Sequence, residues 1–327
     1  MQHSLDLTLS LSKGEREISS MTGHSIYIDC AKNMRDLMAT YPSALTEGID
    51  LHMGDPDQSD LPEIVNGYKG VMNGHTIMTP DLLKASAETL RTVVFLGTGV
   101  ANYVDPAAGG ALGIAVRNVA GYGDRSIAEH AFALLMAAAR GLAQMDREIR
   151  GGTWRSFEGI ELAGKTLGIV GTGAVGAELC RMASGFGMNC LAWNRSGVEP
   201  ALPCREVPLE QLFREADAIS LHIAYAEETH EMIGAPLLQS VKPGAILVNT
   251  ARGGLVDDAA LVTALTDGPL GHAALDVFTE EPLDAGSPFC SLENVTLAAH
   301  AAWKTPDAAD RLMRRGLEIL RDDIQAL

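Results

Sequence analysis

Three residues in the last quarter of the chain have side chains suited to acid–base chemistry on a small carboxylate. Arg252 carries a planar guanidinium that matches the geometry of a carboxylate. His300 carries an imidazole, which exchanges protons near neutral pH. Glu281 would hydrogen-bond that imidazole, orient it and stabilise its protonated form. Together, the three could hold a carboxylate, polarise a neighbouring carbonyl and protonate the alkoxide that a hydride donor would create.

A glycine-rich turn between a predicted strand, 166–170, and a predicted helix, 177–186, indicates a dinucleotide site. Gly171 permits the tight turn, Gly173 lets a pyrophosphate approach the backbone, and Gly176 lets the helix pack closely on the strand. The helix N-terminus supplies N–H donors and partial positive charge. The cofactor-binding residues predicted here are Gly171, Thr172, Gly173, Ala174, Val175 and Gly176.

The end of the next predicted strand indicates which dinucleotide is preferred. An Asp or Glu at this point, roughly 20 residues after the glycines, would bind the adenosine ribose of NAD(H). This chain instead has Asn194, followed by Arg195 and Ser196. Because a neutral Asn194 does not repel a 2′-phosphate and Arg195 could bind one, we expect NADP(H). NAD(H) remains the alternative, with Arg195 stacked on adenine or solvated.

Two series of short apolar runs must position these residues. Both alternate with amphipathic stretches, which predicts parallel sheets with helical crossovers and two doubly wound α/β domains. Arg252, Glu281 and His300 each lie at or just past the end of a late strand, where open α/β sheets bind ligands. The first series of candidate strands is 26–30, 49–52, 70–73, 92–97 and 114–119; the second is 166–170, 188–193, 218–223, 245–250, 273–278 and 295–300, making six or seven strands.

Two long helical patterns accompany the strands. Ser126 and Glu129 have the spacing of a capping box, which predicts a helix over 127–145 that ends near residues 151–152. This stretch is too apolar for a free surface helix, so we expect it to be buried between domains or in a homodimer interface over 127–150. The C-terminal segment 306–327 also has helical spacing and could pack back on the first domain.

Composition limits the partners. The chain has 327 residues with 25 Lys and Arg against 42 Asp and Glu, a net charge of −17 that disfavours nucleic acid and anionic membranes. No apolar run approaches the length of a membrane span, and no leader pattern precedes residue 21. Five cysteines without a C-x-x-C pair favour reduced thiols and a cytoplasmic location. No His or Cys spacing predicts a metal site.

Several segments resemble the D-isomer-specific 2-hydroxyacid dehydrogenase family, from about residue 95 to 303. The resemblance implies a Rossmann dinucleotide-binding domain and a smaller flavodoxin-like substrate domain, with the active site in the cleft between them. We expect an N-terminal extension over 1–20, a substrate domain over 21–117 plus 302–327, and a dinucleotide domain over 118–301. The matching segments are 97–105, 126–130, 162–171 and the motifs around Arg252, Glu281 and His300, in the family's order.

The resemblance also adds residues to the cofactor site. It places His222 near the ribose and nicotinamide, although a histidine satisfied at a strand end is an equal alternative. It makes Asp276 an acceptor for the nicotinamide carboxamide. Thr250 and Ala251, directly before Arg252, are expected to contact the cofactor as well.

Further residues are implied on the substrate side. Thr98 and Gly99 match a loop whose backbone N–H groups bind the substrate carboxylate in the family. Gly74 and His75 would face the same cleft, His75 being otherwise a solvated loop histidine. Trp303 resembles the branch that reduces hydroxypyruvate and glyoxylate, or is interdomain packing.

The function expected is NADPH-dependent reduction of a small 2-keto acid, such as glyoxylate or hydroxypyruvate, to the D-2-hydroxy acid. Arg252 would hold the carboxylate and the carbonyl, and His300, paired with Glu281, would donate the proton. Two alternatives stay open. One is oxidation of 3-phosphoglycerate, although no Lys/Arg cluster for a phosphate is visible. The other is a dinucleotide-sensing corepressor or binding protein without catalysis.

Overall fold

A computed structural model describes residues 24–327, so the predicted extension over 1–20 lies outside the described residues. Within 24–327, twelve β-strands form two sheets in which all registered neighbours run parallel. The strands are β1 Ser25–Cys30, β2 Ile49–Met53, β3 Gly70–Asn73, β4 Thr92–Phe95, β5 Ala115–Asn118, β6 Thr166–Val170, β7 Asn189–Trp193, β8 Arg205–Glu206, β9 Ala218–Leu221, β10 Ala245–Asn249, β11 Leu270–Leu275 and β12 Val295–Leu297.

Helices connect most successive strands. They are α1 Lys32–Met38, α2 Ser43–Thr46, α3 Leu61–Ile64, α4 Pro80–Ser86, α5 Pro106–Ala111, α6 Asp124–Arg140, α7 Leu142–Arg150, α8 Ala174–Gly185, α9 Leu209–Glu215, α10 Ala235–Leu238, α11 Asp258–Thr266 and α12 Pro306–Gln325. Short 3₁₀ turns occupy Val100–Asn102, Glu227–Thr229, Gly253–Leu255 and Pro288–Cys290.

The first sheet has the order β2-β1-β3-β4-β5, the doubly wound order of flavodoxin-like domains. Its strands β1, β3 and β4 are buried throughout, which fits their continuous apolar sequences. Helix α12 packs against β3 and β4, as its apolar spacing led us to expect. The contact is close at Gly70, where a Cβ would lie 2.6 Å from Leu320 Cδ1.

The second sheet has the order β12-β11-β10-β9-β6-β7-β8. Counted from β6, this is the Rossmann order with one added strand, and it reverses between β6 and β9. The predicted α/β fold class is therefore confirmed. The seventh strand, β8, is a two-residue edge strand whose residues are exposed, so no apolar pattern marks it in the sequence.

The chain divides into two compact units, one reaching Tyr122 and resuming at Pro306–Leu327, the other spanning Gly123–Thr305. The division falls a few residues later than the predicted limits at 117/118 and 301/302. The cause at the first limit is that Val119 N donates to the carbonyls of Phe95 and Gly97 in the first unit. At the second limit, Thr305 Oγ1 is 2.9 Å from Ser126 Oγ at the start of α6.

The single helix predicted over 127–145 is wrong in two respects. Gly141 adopts a left-handed conformation with φ +60° and separates α6 from α7. The helix also begins at Asp124 without a side-chain cap, because the residue at its N-cap is Gly123 and Ser126 lies inside the first turn, where its Oγ contacts Thr305 Oγ1. Helix α6 packs against α8 and β10 with alanines on its buried face, whereas α7 has no buried residue.

Three further observations concern the part of the chain that is described. No helix there has the length and apolarity to cross a membrane. Residues 24–327 contain no group of three or more His, Cys, Asp or Glu placed to hold a metal ion. The cysteines Cys30, Cys180, Cys190, Cys204 and Cys290 are free thiols.

Candidate active site

The glycine turn connects β6 to α8 at the point where the sheet order reverses. Gly171 has φ +95°, and a Cβ there would lie 2.7 Å from the His222 carbonyl oxygen. A Cβ on Gly176 would meet the Gly171 carbonyl oxygen at 2.0 Å. Gly173, in contrast, has open space around it and immediately precedes Ala174 and Val175, the first residues of α8. The turn therefore leaves room for a diphosphate at a helix N-terminus.

Asn194, at the end of β7, ties this turn to the following loop. Its Oδ1 accepts from Thr172 N at 3.2 Å, and its Nδ2 donates to Ser196 Oγ at 3.0 Å and to the Gly197 carbonyl at 2.9 Å. An aspartate could make only the first of these bonds, because it has no donor. Arg195 is exposed and forms no ion pair or hydrogen bond within residues 24–327. Its guanidinium is thus available to a ligand.

Two residues after neighbouring strands face the same end of the second sheet. His222 follows β9, and its Nε2 is 2.8 Å from Ser220 Oγ. Burial lowers the pKa of His222 to about 4, so the imidazole is neutral at physiological pH. Thr250 follows β10, and its buried Oγ1 has no hydrogen-bond partner among the described residues. Such an orphaned hydroxyl suits a ligand group, so the residues present fit a dinucleotide.

The loop after β10 carries Arg252. Asn249 braces it, accepting from Ala251 N at 3.0 Å and donating to the Arg252 carbonyl at 2.9 Å. The Arg252 guanidinium donates to the Ala251 carbonyl at 2.6 Å and pairs with no carboxylate in the described chain. At Gly253 the loop approaches another backbone so closely that a Cβ would lie 2.0 Å from the Phe278 carbonyl carbon. That approach sets the Arg252 loop against the segment that leads to Glu281.

Glu281 and His300 form a pair. Glu281 Oε1 accepts from Phe278 N at 3.0 Å, and its Oε2 is 2.6 Å from His300 Nδ1. Because a carboxylate only accepts, Nδ1 carries the proton of this bond. His300 Nε2 forms no hydrogen bond with any described residue. An imidazolium held in this way has one remaining N–H to donate to a reacting oxygen.

Asp276, which follows β11, is fully buried, and it holds the backbone after His300 in a way that the sequence does not predict. Its Oδ1 accepts from Ala301 N and its Oδ2 from Ala302 N, both at 2.9 Å. His130 Nε2 on α6 lies 3.3 Å from Oδ1. The structure thus shows Asp276 shaping the turn after His300, while its expected contact with the nicotinamide carboxamide stays a prediction.

On the first unit, Gly74 and His75 follow β3, and both donate their amide N–H to a carboxylate. Asp29 accepts from Gly74 N at 2.8 Å, His75 N at 2.9 Å and Thr76 N at 2.8 Å, so these amides are already occupied. The exposed His75 imidazole has Nε2 2.5 Å from Asp55 Oδ1. What remains of His75 for a substrate is the imidazole itself.

Unlike the amides of Gly74 and His75, the amides of Thr98 and Gly99 are not already bonded to a carboxylate of the described chain. The amides of Thr98 and Gly99 form no hydrogen bond with any residue in 24–327, while the Thr98 carbonyl accepts from Asn118 Nδ2 at 2.9 Å. Free amides of this kind suit an anion. Trp303, on the second unit, is half-buried, with its Cβ 3.4 Å from where a Cβ on Gly123 would stand.

Sequence reasoning missed the residues that hold these groups in place. The sequence patterns place Asp29 and Asn249 in strands, His130 in a helix and Gly253 in a loop, and assign none of them a role at the site. Only Gly253 carried a signal, since a glycine beside a functional arginine often marks a close backbone approach. The contacts of the other three depend on residues distant in sequence.

The fold and the site define a dinucleotide-dependent dehydrogenase. A family model described as "D-isomer specific 2-hydroxyacid dehydrogenase, NAD binding domain" matches residues 132–302. The chain is 42% identical over 236 residues to glyoxylate reductase of Korarchaeum cryptofilum, covering 69% of this chain and 71% of the relative. It is 38% identical over 261 residues to glyoxylate reductase of Aeropyrum pernix, covering 75% and 78%.

A solved structure agrees with these relatives. The glyoxylate reductase from Paecilomyes thermophila superimposes with a TM-score of 0.82 at 26% identity, covering 92% of this chain and 95% of that one. The chain therefore belongs to the D-isomer-specific 2-hydroxyacid dehydrogenase family, and it uses a nicotinamide cofactor.

Proposed function

We propose that this protein reduces a small 2-keto acid, of the size of glyoxylate or hydroxypyruvate, to the D-2-hydroxy acid. The dinucleotide supplies the hydride. Arg252 holds the substrate carboxylate and polarises the carbonyl. His300 donates its Nε2 proton to the carbonyl oxygen as the alkoxide develops, and Glu281 stabilises the imidazolium before transfer.

The observation that carries this proposal is the Glu281–His300 pair at 2.6 Å in a site that also contains an unpaired guanidinium. Such a pair holds a proton ready, and the guanidinium supplies positive charge in a chain whose net charge is −17. The free amides of Thr98 and Gly99 and the imidazole of His75 are further candidates for substrate contact. Trp303 and Asp276 keep their proposed contacts with substrate and carboxamide.

A substrate panel tests the function. Loss of absorbance at the nicotinamide band is followed with glyoxylate, hydroxypyruvate, pyruvate and phenylpyruvate, each with NADPH and with NADH. We expect the highest kcat/KM with one of the first two acids. Dinucleotide binding without turnover of any of the four would contradict the proposal and favour a sensor. Oxidation of 3-phosphoglycerate is the less favoured alternative: a D-3-phosphoglycerate dehydrogenase of Mycobacterium bovis is 40% identical over 276 residues, but the identity to a glyoxylate reductase reaches 42%.

We further propose that NADP(H) is preferred, with Arg195 and Ser196 near the adenosine 2′-phosphate. Asn194 supports this because it is neutral and holds the turn that carries both residues. The glycine turn, His222, Thr250 and Ala251 complete the proposed cofactor contacts.

Replacing Arg195 with alanine is expected to lower kcat/KM for NADPH about tenfold or more, since hydrogen bonds between charged groups contribute roughly 1.5–3 kcal/mol. The value for NADH should change less than about threefold on the same reasoning. Arg205→Ala is the control, because it removes a charge from the same sheet edge, where Arg205 pairs with Glu215. An Arg195→Ala enzyme that keeps the wild-type ratio of NADPH to NADH activity would show that Arg195 does not bind the phosphate.

We also propose a homodimer that forms through the predicted segment 127–150. Leu142 and Ile149, seven residues apart on one side of α7, are each 53% exposed, and Trp154, which follows α7 in the sequence, is 91% exposed. Exposed apolar side chains of this size favour a protein interface.

We also propose a cytoplasmic location, because the five cysteines are free thiols. A thiol titration of protein isolated without reductant checks that all five remain reduced.

The double replacement Leu142→Asp with Ile149→Asp is expected to convert the dimer to a monomer, because it buries two charges in the interface. Sedimentation velocity measures the change. Leu327→Asp is the matched control, since Leu327 is also an exposed leucine, at 64%, but lies outside the proposed interface. A double variant that sediments as the wild-type dimer would contradict this interface.

A further inference from the structure

One buried residue, Asp276, accepts hydrogen bonds from three consecutive backbone amides at the proton donor. The Asp276 carbonyl accepts from His300 N at 2.8 Å. Its side chain accepts from the next two amides, those of Ala301 and Ala302. The turn that presents His300 is therefore defined by Asp276 more than by its own sequence.

His300 needs such support because its backbone has φ +48°, in the left-handed region that residues with a Cβ rarely adopt. A conformation of this kind persists only when surrounding contacts hold it. The imidazole direction depends on the backbone, so relaxation of the turn would move Nδ1 away from Glu281 and Nε2 away from the reacting oxygen.

The Asp276 carboxylate in turn needs a partner, because an ionised carboxylate without compensation is unstable away from water. Burial is the largest influence and would raise the pKa of Asp276. The His130 imidazole and the amides of Ala301 and Ala302 outweigh it and hold that pKa below its usual value. Among the described residues, His130 is the one titratable side chain that acts on Asp276 in this way.

The His130 ring has no other use in the described structure. Its Nε2 is shielded from solvent and makes no aligned hydrogen bond with any described residue, and the carboxylate oxygen within ion-pair distance of it is Asp276 Oδ1, at 3.3 Å. A nitrogen lone pair at that distance would repel the carboxylate, so Nε2 carries a hydrogen. The mechanism proposed above does not employ this N–H.

We propose that His130 is a positioning residue for His300: its Nε2–H stabilises the buried Asp276 carboxylate, and Asp276 holds the turn from His300 to Ala302. This inference rests on the proposed function, because it assigns a further residue to the same site. His130 touches neither substrate nor cofactor in this assignment, and it acts only through Asp276.

Two substitutions separate an N–H donor from simple packing. His130→Met fills a similar volume without a donor, and His130→Gln restores an N–H at about the reach of Nε2. His272→Met is the control, because His272 is a buried imidazole of the second unit whose Nε2 lies 2.9 Å from Thr296 Oγ1 and not beside Asp276. Each is compared with the intact wild-type chain.

The first measurement is amide hydrogen exchange at Ala301 and Ala302. We expect His130→Met to accelerate it about tenfold, and His130→Gln and His272→Met to leave it within about threefold of wild type. Unchanged exchange in His130→Met, or equal acceleration in His130→Gln, would overturn the proposal. This measurement does not depend on activity, so it decides the inference even when no keto acid is turned over.

The second measurement is the pH profile of kcat with the best substrate of the panel. In His130→Met, kcat should fall about tenfold near neutrality, with KM changed less than about threefold. Its activity should also be lost at a higher pH than in wild type as the solution is acidified, because Asp276 then takes up a proton more readily. His130→Gln should restore most of kcat. An equal loss at every pH in both variants would indicate packing alone and contradict the proposal.

A third measurement needs no variant and therefore stands if His130→Met does not fold. Long-range ¹H–¹⁵N correlation spectra of the wild-type protein report which nitrogen of each imidazole is protonated. We expect a hydrogen on Nε2 of His130. A ring protonated on Nδ1 alone would overturn the proposal.

Discussion

His300→Ala is expected to lower kcat for keto-acid reduction about a thousandfold, near the middle of the range for loss of a general acid. The reason is that the Nε2 proton, held in place through Nδ1 by Glu281, is lost and water must replace it. The dissociation constant for the dinucleotide should change less than about threefold, because His300 is a donor to the substrate and not to the pyrophosphate. Stopped-flow absorbance and fluorescence titration measure the two quantities.

Two variants sharpen this test. Glu281→Gln keeps an oxygen acceptor for Nδ1 but removes the negative charge that stabilises the imidazolium, so its kcat should lie between those of wild type and His300→Ala. His24→Ala is the control, because His24 is an exposed histidine at the amino end of β1, away from the strand ends that carry the site. Substantial turnover by His300→Ala would mean that another group donates the proton.

Arg252→Ala is expected to lower kcat/KM for the keto acid about a thousandfold, because it removes both the carboxylate anchor and the charge beside the carbonyl. The guanidinium pairs with no carboxylate in the described chain, so its removal leaves no buried charge unpaired and should hardly affect folding. The fall in kcat/KM would then reflect weaker binding of the substrate and of the transition state. Steady-state kinetics and thermal unfolding together distinguish it from misfolding.

Arg252→Lys separates charge from shape. A lysine keeps the positive charge but lacks the planar fork, so it should recover only about tenfold of the loss. Arg181→Ala is a suitable control, since Arg181 is an exposed arginine of the same unit whose partner is Glu178. If the Arg252→Ala enzyme keeps the wild-type kcat/KM and is saturated by the panel substrate as the wild type is, Arg252 has no part in the mechanism.

Much of the fold was predictable because its signals are local. Short runs rich in apolar residues located eleven of the twelve strands among residues 24–327, although β2 and β5 are only partly buried. The turn at Gly171, between a strand and a helix, identified the dinucleotide unit, and apolar spacing identified α12. In contrast, β8 carries no apolar pattern, and the break at Gly141 could not be predicted because an isolated glycine inside a helix is tolerated at a cost of about 1 kcal/mol.

The side chains of the site were predictable by type, since only a few residue types hold a carboxylate or donate a proton. The contacts that hold these side chains in place were not predictable. Ser126 has the spacing of a cap, yet it bonds Thr305, which is 179 residues away. Gly74 resembles a free loop amide, yet it donates to Asp29, which is 45 residues away. Such hydrogen bonds depend on which strand ends become neighbours.

The sequence by itself determined the class of fold, the location of the glycine turn and the identity of the groups that could transfer a proton. These properties follow from residue type and short-range spacing. Only the tertiary structure decided that Asp276 and His130 support the turn of His300, and that Gly253 admits the backbone near Glu281. The physical reason is that the buried carboxylate, the imidazole beside it and the close approach of the Gly253 backbone to Phe278 exist only after β10, β11 and α6 have packed together.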